Sequence, residues 1–230
     1  MVTTGIALAM LSGLFNGLFT TPVKFESRWR WDNIWLAPNP AQLSSSRADV
    51  TGARRDQQTG LFYRDTSFTG QRDKNGKKVL WSRGNGWAFA GIARILEYLP
   101  KNDPSREHCL AIFRRMAAAL IERQGADGLW RMNLADPDEF PEPETSGSGF
   151  FCYGLAWGVN NGVLNRQEYL PAVLRAWHGL TQNVRPEGEI YWGQPIGYEP
   201  RAITCDGTEK FVTGAFLLAG SEIYKLAPAK

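Results

Sequence analysis

At 230 residues, with 43% hydrophobic and 21% charged side chains, the chain is long enough for one globular domain with its own core. Its net charge of +3 is small and scattered, and doublets such as Arg54-Arg55 and Lys77-Lys78 read as solvated surface, so nucleic acid is excluded as a partner. Three cysteines without metal-ligand spacing, and two histidines with no acidic or cysteine neighbour arranged for a metal or a triad, imply no metal and no cofactor.

In chain order, residues 1–36 stand apart from the rest. Gly5 to Val23 is a nearly uncharged apolar stretch of transmembrane length, followed by KFESRWRWDNIWL, whose basic and aromatic content suits a membrane interface. This predicts an apolar N-terminal helix that contacts a membrane through residues 5–23. Residues 37–52 turn to Pro, Ser and Asn and read as a linker.

Residues 53–230 carry an internal repeat. Three times a short polar turn ends in glycine and runs into an aromatic: DQQTGLFY from Asp56, GADGLW from Gly125 and RPEGEIYW from Arg185. Gly60, Gly128 and Gly188 stand 68 and 60 residues apart, a period that fits one helical hairpin with a long connecting loop. Each turn is followed by a run mixing small residues with aromatics: GNGWAFAGIA, SGSGFFCYGLAWG and VTGAFLLAG. Helices apolar around most of their circumference belong to an inner layer.

Between these runs lie two amphipathic stretches. In the first, Leu110, Phe113, Ala117, Leu120 and Ile121 recur at helical spacing opposite Arg114, Arg115 and Glu122; in the second the apolar set is Tyr169, Leu170, Val173, Leu174, Trp177 and Leu180. His108 and His178 fall on these outer helices, and the cysteines are expected to be buried free thiols, Cys152 as a small hydrophobe. An inner apolar helix alternating with an outer amphipathic one describes an all-α toroid of helical hairpins. An open α-solenoid is the competing architecture.

Two resemblances follow from these residues. The N-terminal segment resembles the first membrane span of L-rhamnose–proton symporters, through Pro22, Lys24, Trp29, Trp31, Asp32, Asn33 and Trp35. From Gly52 onward the chain resembles the unsaturated rhamnogalacturonyl hydrolases of glycoside hydrolase families 105 and 88. TGLFYRD, NGKKVLWSRGNGW, ETSGSGFF, YGLAWGVNNG and GAFLLAGSE carry that likeness, in family order. It implies an (α/α)6 toroid of which about half is present, so the flanks of the inner helices are expected to be exposed and to self-associate.

The hydrolase resemblance also implies a chemistry. The substrate is an oligosaccharide ending in a 4,5-unsaturated uronic acid, here linked to rhamnose, and the enzyme protonates and hydrates its enol ether. Asp65 stands at the position of the family's catalytic aspartate. Its pKa is expected to be raised by enclosure among Tyr63, Trp81 and Trp87. The competing reading is that Asp65 caps the segment starting at Thr66. Arg83 and Asn85 are placed at the mouth, Arg83 as a fork for the uronate carboxylate or as partner of an internal carboxylate, with Trp87 facing a sugar or filling the core. Trp130, Glu144 and Ser146 are assigned equivalent mouth positions, and Glu144 to Ser146 also look like a helix start. A non-catalytic, membrane-tethered remnant that at most binds sugar is the alternative to an enzyme.

Overall fold

A computed structural model of the chain describes residues 55–197 and 199–227. The apolar stretch at residues 5–23, its symporter-like extension and the 37–52 linker lie outside the described residues. None of the described helices is long and apolar enough to cross a membrane.

Five α-helices are described: α1 (Ser82–Tyr98), α2 (Arg106–Ile121), α3 (Thr145–Asn160), α4 (Arg166–Gln182) and α5 (Lys210–Leu226), with a short 3-10 turn at Thr66–Phe68. Pairing between extended segments is confined, among the described residues, to isolated bridges. Helix α3 lies at the centre, packed against α1 on one side and α5 on the other, while α2 and α4 cover the outside. This is the α/α toroid arrangement, inner and outer helices alternating along the chain.

The composition of each helix explains its layer. Every residue of α3 from Thr145 to Val159 is buried, as its lack of any polar face requires. Its neighbours interlock with it through aromatic stacking: Phe89 of α1 lies 4.4 Å from Phe113 of α2, which meets Trp157 of α3 edge-on at 5.4 Å. Helix α2 buries Leu110, Phe113, Ala117 and Leu120 as its periodicity predicts. On α4 the buried stripe is narrower, running through Tyr169, Ala172, Val173, Ala176 and Leu180 and leaving Leu174 half exposed. His108 and His178 are exposed on α2 and α4.

Helix α5 departs from the expected pattern of an inner helix. It buries only Val212, Ala215, Ala219 and Glu222, while Leu217 is 61% and Tyr224 83% exposed. Among the described residues it forms an open edge of the inner layer, following two complete hairpins, α1–α2 and α3–α4. Cys109 and Cys152 are buried free thiols, but Cys205 is exposed, which corrects the expectation for that residue. Burial alone pushes the Cys152 thiol up to about 12, so it is inert packing.

The three repeated turns share one geometry. Gly60, Gly128 and Gly188 all adopt the left-handed conformation, with φ of 76°, 83° and 91°. In each, a residue at the start of the turn donates its amide across it: Asp56 to the Leu61 carbonyl at 2.7 Å, Gly125 to Leu129 at 2.9 Å and Arg185 to Glu189 at 2.7 Å. The sequence repeat is thus a structural repeat, and it delivers the chain to the N-terminal ends of the inner helices.

Candidate active site

The N-termini of α1 and α3 gather the polar residues singled out by sequence. Asn85, in the first turn of α1, is 1% exposed and fastens the preceding segment in both directions. Its Oδ1 accepts the Phe62 amide at 2.7 Å, and its Nδ2 donates to the Phe62 carbonyl at 2.9 Å and to the Trp81 carbonyl at 3.0 Å. A side-chain amide here imitates a strand partner. It holds Leu61–Tyr63, and so the departure point of Asp65, against α1.

Asp65 itself is the N-cap of the 3-10 turn. Its Oδ1 accepts from the Ser67 amide at 2.8 Å and the Ser67 hydroxyl at 2.5 Å, and its Oδ2 meets Arg64 at 2.6 Å. Partial burial raises its pKa, but the Ser67 bonds, the Arg64 guanidinium and the Phe68 amide outweigh that and hold the carboxyl below its ordinary value. The expected elevation is therefore corrected for the unliganded chain. The aromatic residues assigned to enclose Asp65 are engaged elsewhere: the Tyr63 hydroxyl donates to Asp56 at 3.3 Å, the Trp81 indole to Gln194 Oε1 at 2.8 Å, and Trp87 packs on Phe150 at 4.2 Å.

Arg83 is 3% exposed and its fork is filled by backbone carbonyls. It donates to Gln194, to Pro195 at 3.0 Å and to Gly197 at 3.4 Å. Its guanidinium lies over the Trp81 ring at 5.0 Å and the Phe211 ring at 4.7 Å. Burial lowers its pKa, partly countered by the nearby Glu144 and Glu209 charges. Arg83 thus clamps the 194–197 loop across the start of α1. Neither role read from the sequence, uronate fork or partner of an internal carboxylate, matches this bonding.

Glu144 is the N-cap of α3 and is fully buried. Its carboxylate accepts the Ser146 amide at 2.8 Å, the Gly147 amide at 2.6 Å and the Ser146 hydroxyl, so the capping reading of these residues describes what they do. Trp130 is also fully buried. Its indole donates to the Leu120 carbonyl at 2.8 Å and its ring meets Phe151 edge-on, which makes it core and corrects its expected place at the mouth.

Sequence reasoning missed Gln194, Phe211 and the 190–197 loop. Gln194 is fully buried between the Trp81 indole and the Glu199 carbonyl, to which its Nε2 donates at 2.8 Å. The third repeated turn was the available signal, since it leads straight into this loop.

The family model for Glycosyl Hydrolase Family 88 matches residues 43–227. The chain belongs to glycosyl hydrolase family 88. It is 42% identical over 219 residues to an unsaturated 3S-rhamnoglycuronyl hydrolase of Formosa agariphila, covering 86% of this chain and 58% of that protein. A protein of the same name from an Alteromonas species is 37% identical over 213 residues, covering 86% of this chain and 52% of the relative. Among solved structures, a glycosyl hydrolase family 88 protein from Bacteroides vulgatus superposes with a TM-score of 0.72 at 39% identity, over 75% of this chain and 51% of that one. The chain therefore spans between half and three-fifths of the length of these two curated relatives.

Proposed function

We propose that this family 88 chain hydrolyses the link between a 4,5-unsaturated uronyl residue and rhamnose, with Asp65 as proton donor. The observation that carries the reading is the fastening of Phe62 by Asn85, which brings the segment bearing Asp65 to the N-terminal end of an inner helix. The names of the Formosa and Alteromonas relatives, both rhamnoglycuronyl hydrolases, support rhamnose as the sugar released.

The chemistry follows from the enol ether. A protonated Asp65 delivers its proton to C4, leaving an oxocarbenium ion at C5; the resulting carboxylate then takes a proton from the water that adds at C5. The hemiketal so formed opens, the old ring oxygen becomes a hydroxyl on C1, and the C1 hemiacetal expels rhamnose. One carboxyl serves both steps, unlike the paired carboxylates of ordinary glycosidases. In the free chain Asp65 is held ionised by Ser67 and Arg64. The substrate's own uronate supplies the correction: a like charge close by, together with exclusion of water, raises the pKa of the donor. That same uronate competes for Arg64, which loosens one of the contacts keeping Asp65 ionised.

Positioning falls to the buried residues: Asn85 for the donor segment, Arg83 for the 194–197 loop, Glu144 and Ser146 for the start of α3. Trp87, half-buried and packed on Phe150, is the aromatic that this reading assigns to the substrate. The test is loss of the ultraviolet absorbance of the conjugated alkene on incubation with an unsaturated uronyl–rhamnose disaccharide. Wild-type chain is expected to bleach it and Asp65→Asn to lose at least a hundredfold in kcat, the usual contribution of a positioned acid being about 10²–10⁴. An Asp65→Asn variant with full activity overturns the assignment. Binding without turnover by the wild type instead supports the non-catalytic alternative.

A further inference from the structure

The loop between α4 and α5 contains the one described non-glycine residue with positive φ, and it is a tryptophan. Trp192 has φ 58°, a conformation that costs a bulky side chain about 1–3 kcal/mol and that glycine adopts freely. Gly193 stands next to it, yet the left-handed position is given to the indole.

The backbone around Trp192 is fastened on every side. Its amide donates to the Cys205 carbonyl at 3.1 Å, and its carbonyl accepts the Thr145 amide, at the first residue of α3, at 3.1 Å. The Thr145 hydroxyl donates to the Tyr191 carbonyl at 2.6 Å, Gly193 donates to the Gly207 carbonyl at 2.7 Å, and Arg83 holds Gln194. The strain is thus over-determined by the surroundings rather than accidental.

The side chain so presented is uncommitted. Among the described residues Trp192 makes no side-chain hydrogen bond and no ring contact, and it is half-buried. Trp81 and Trp130, by contrast, are buried with their indole N–H groups bonded. A flat amphipathic ring on a backbone fastened to Thr145, the first residue of α3, offers a face to a pyranose and an N–H to one of its hydroxyls.

We infer that Trp192 is a saccharide-stacking wall of the active-site mouth, and that its strained backbone is what turns the indole toward the sugar. The inference rests on the hydrolase reading for the identity of the ligand. The test is calorimetric titration of the unsaturated uronyl–rhamnose disaccharide into Asp65→Asn, which leaves the ligand intact, and into the same chain carrying Trp192→Gly or Trp192→Phe.

Glycine relieves the left-handed strain, so Trp192→Gly is expected to melt no lower than its parent while binding about tenfold more weakly; phenylalanine, which retains a stacking face, stays within about threefold. A purely structural role predicts the reverse, a lower melting temperature with unchanged affinity, and that result overturns the inference; where Trp192→Gly fails to fold, Trp192→Leu, which keeps apolar bulk without a flat face, decides it, and affinity equal to the parent's overturns the inference. A parent that binds, in a chain whose wild type does not turn over, refutes the catalytic reading but leaves Trp192 to be judged on its affinities. A parent that does not bind the disaccharide overturns both.

Discussion

Replacing Asn85 by aspartate changes one atom of the amide and reverses its meaning. The Oδ1 bond to the Phe62 amide survives, but the two donated bonds, at 2.9 Å to the Phe62 carbonyl and 3.0 Å to the Trp81 carbonyl, become contacts between oxygens. Two lost hydrogen bonds are worth about 1 kcal/mol each, and a carboxylate buried against two carbonyls adds a desolvation and repulsion penalty, so the total is about 3–5 kcal/mol. For a domain of this size that lowers the melting temperature by roughly 6–20 °C at neutral pH. Burial and the facing carbonyls raise the pKa of the new carboxyl above its unfolded value. The sign follows: below the unfolded pKa the group is protonated in both states and the defect is smallest, and the deficit grows as pH rises toward the folded pKa. Thermal melts followed by circular dichroism at about pH 4 and pH 7 read this directly, given an ordinary aspartate pKa of about 3.9. Because Phe62 lies three residues before Asp65, kcat should fall with the stability, a displacement of about 1 Å being enough to lose roughly a hundredfold. An Asn85→Asp chain that melts within about 2 °C of wild type at neutral pH refutes the reasoning, since even the two lost hydrogen bonds exceed that.

Two further outcomes follow. Gly188→Ala should cost only the left-handed strain, about 1 kcal/mol, because no atom lies near its added methyl; Gly128→Ala should cost several times as much, its methyl lying 2.6 Å from the Arg175 backbone carbon, and equal melting temperatures contradict the close approach. The proposed mechanism requires a protonated Asp65, whose pKa is depressed in the free chain, so on that mechanism kcat/KM should keep rising as pH falls toward about 4, while kcat should break at a higher pH because bound uronate raises that pKa; coincident breaks in the two profiles contradict the substrate's part in the protonation.

The repeat was legible because it is written in local chemistry. A glycine that must adopt positive φ, followed by an aromatic, is visible in any one of the three turns, and all three have the same conformation. The inner position of α3 was equally legible, since a helix lacking a polar face has only one place to go. What could not be read was the identity of long-range partners. Arg83 finds its acceptors 111 to 114 residues away, and they are carbonyls, which leave no trace in a sequence. Trp130 follows its turn as Phe62 follows the first, two residues past the glycine, but its indole N–H reaches Leu120 ten residues back and seats the ring in the core. The depressed pKa of Asp65 comes from Ser67, two residues on; that bond was available to a capping argument, and the catalytic reading competed with it.

The motif WSRGNGW gains a different meaning from these contacts. Asn85 and Arg83 are two residues apart on the first turn of α1, so their side chains leave the helix roughly 200° apart. One holds Phe62, in the segment that leads to Asp65, and the other holds the loop that follows Trp192. Gly86 lies on the same turn, where an added methyl would sit 3.2 Å from the Gly147 Cα of α3, so the small residue lets the starts of the two inner helices meet. A single helical turn therefore sets the segment that leads to Asp65, the loop that carries Trp192 and the capped start of α3 in register. On the proposed reading, any effect of Arg83 on the sugar passes through the loop it clamps. Its replacement by lysine, which keeps the charge but loses the fork, disturbs that loop before it disturbs any direct contact with the uronate.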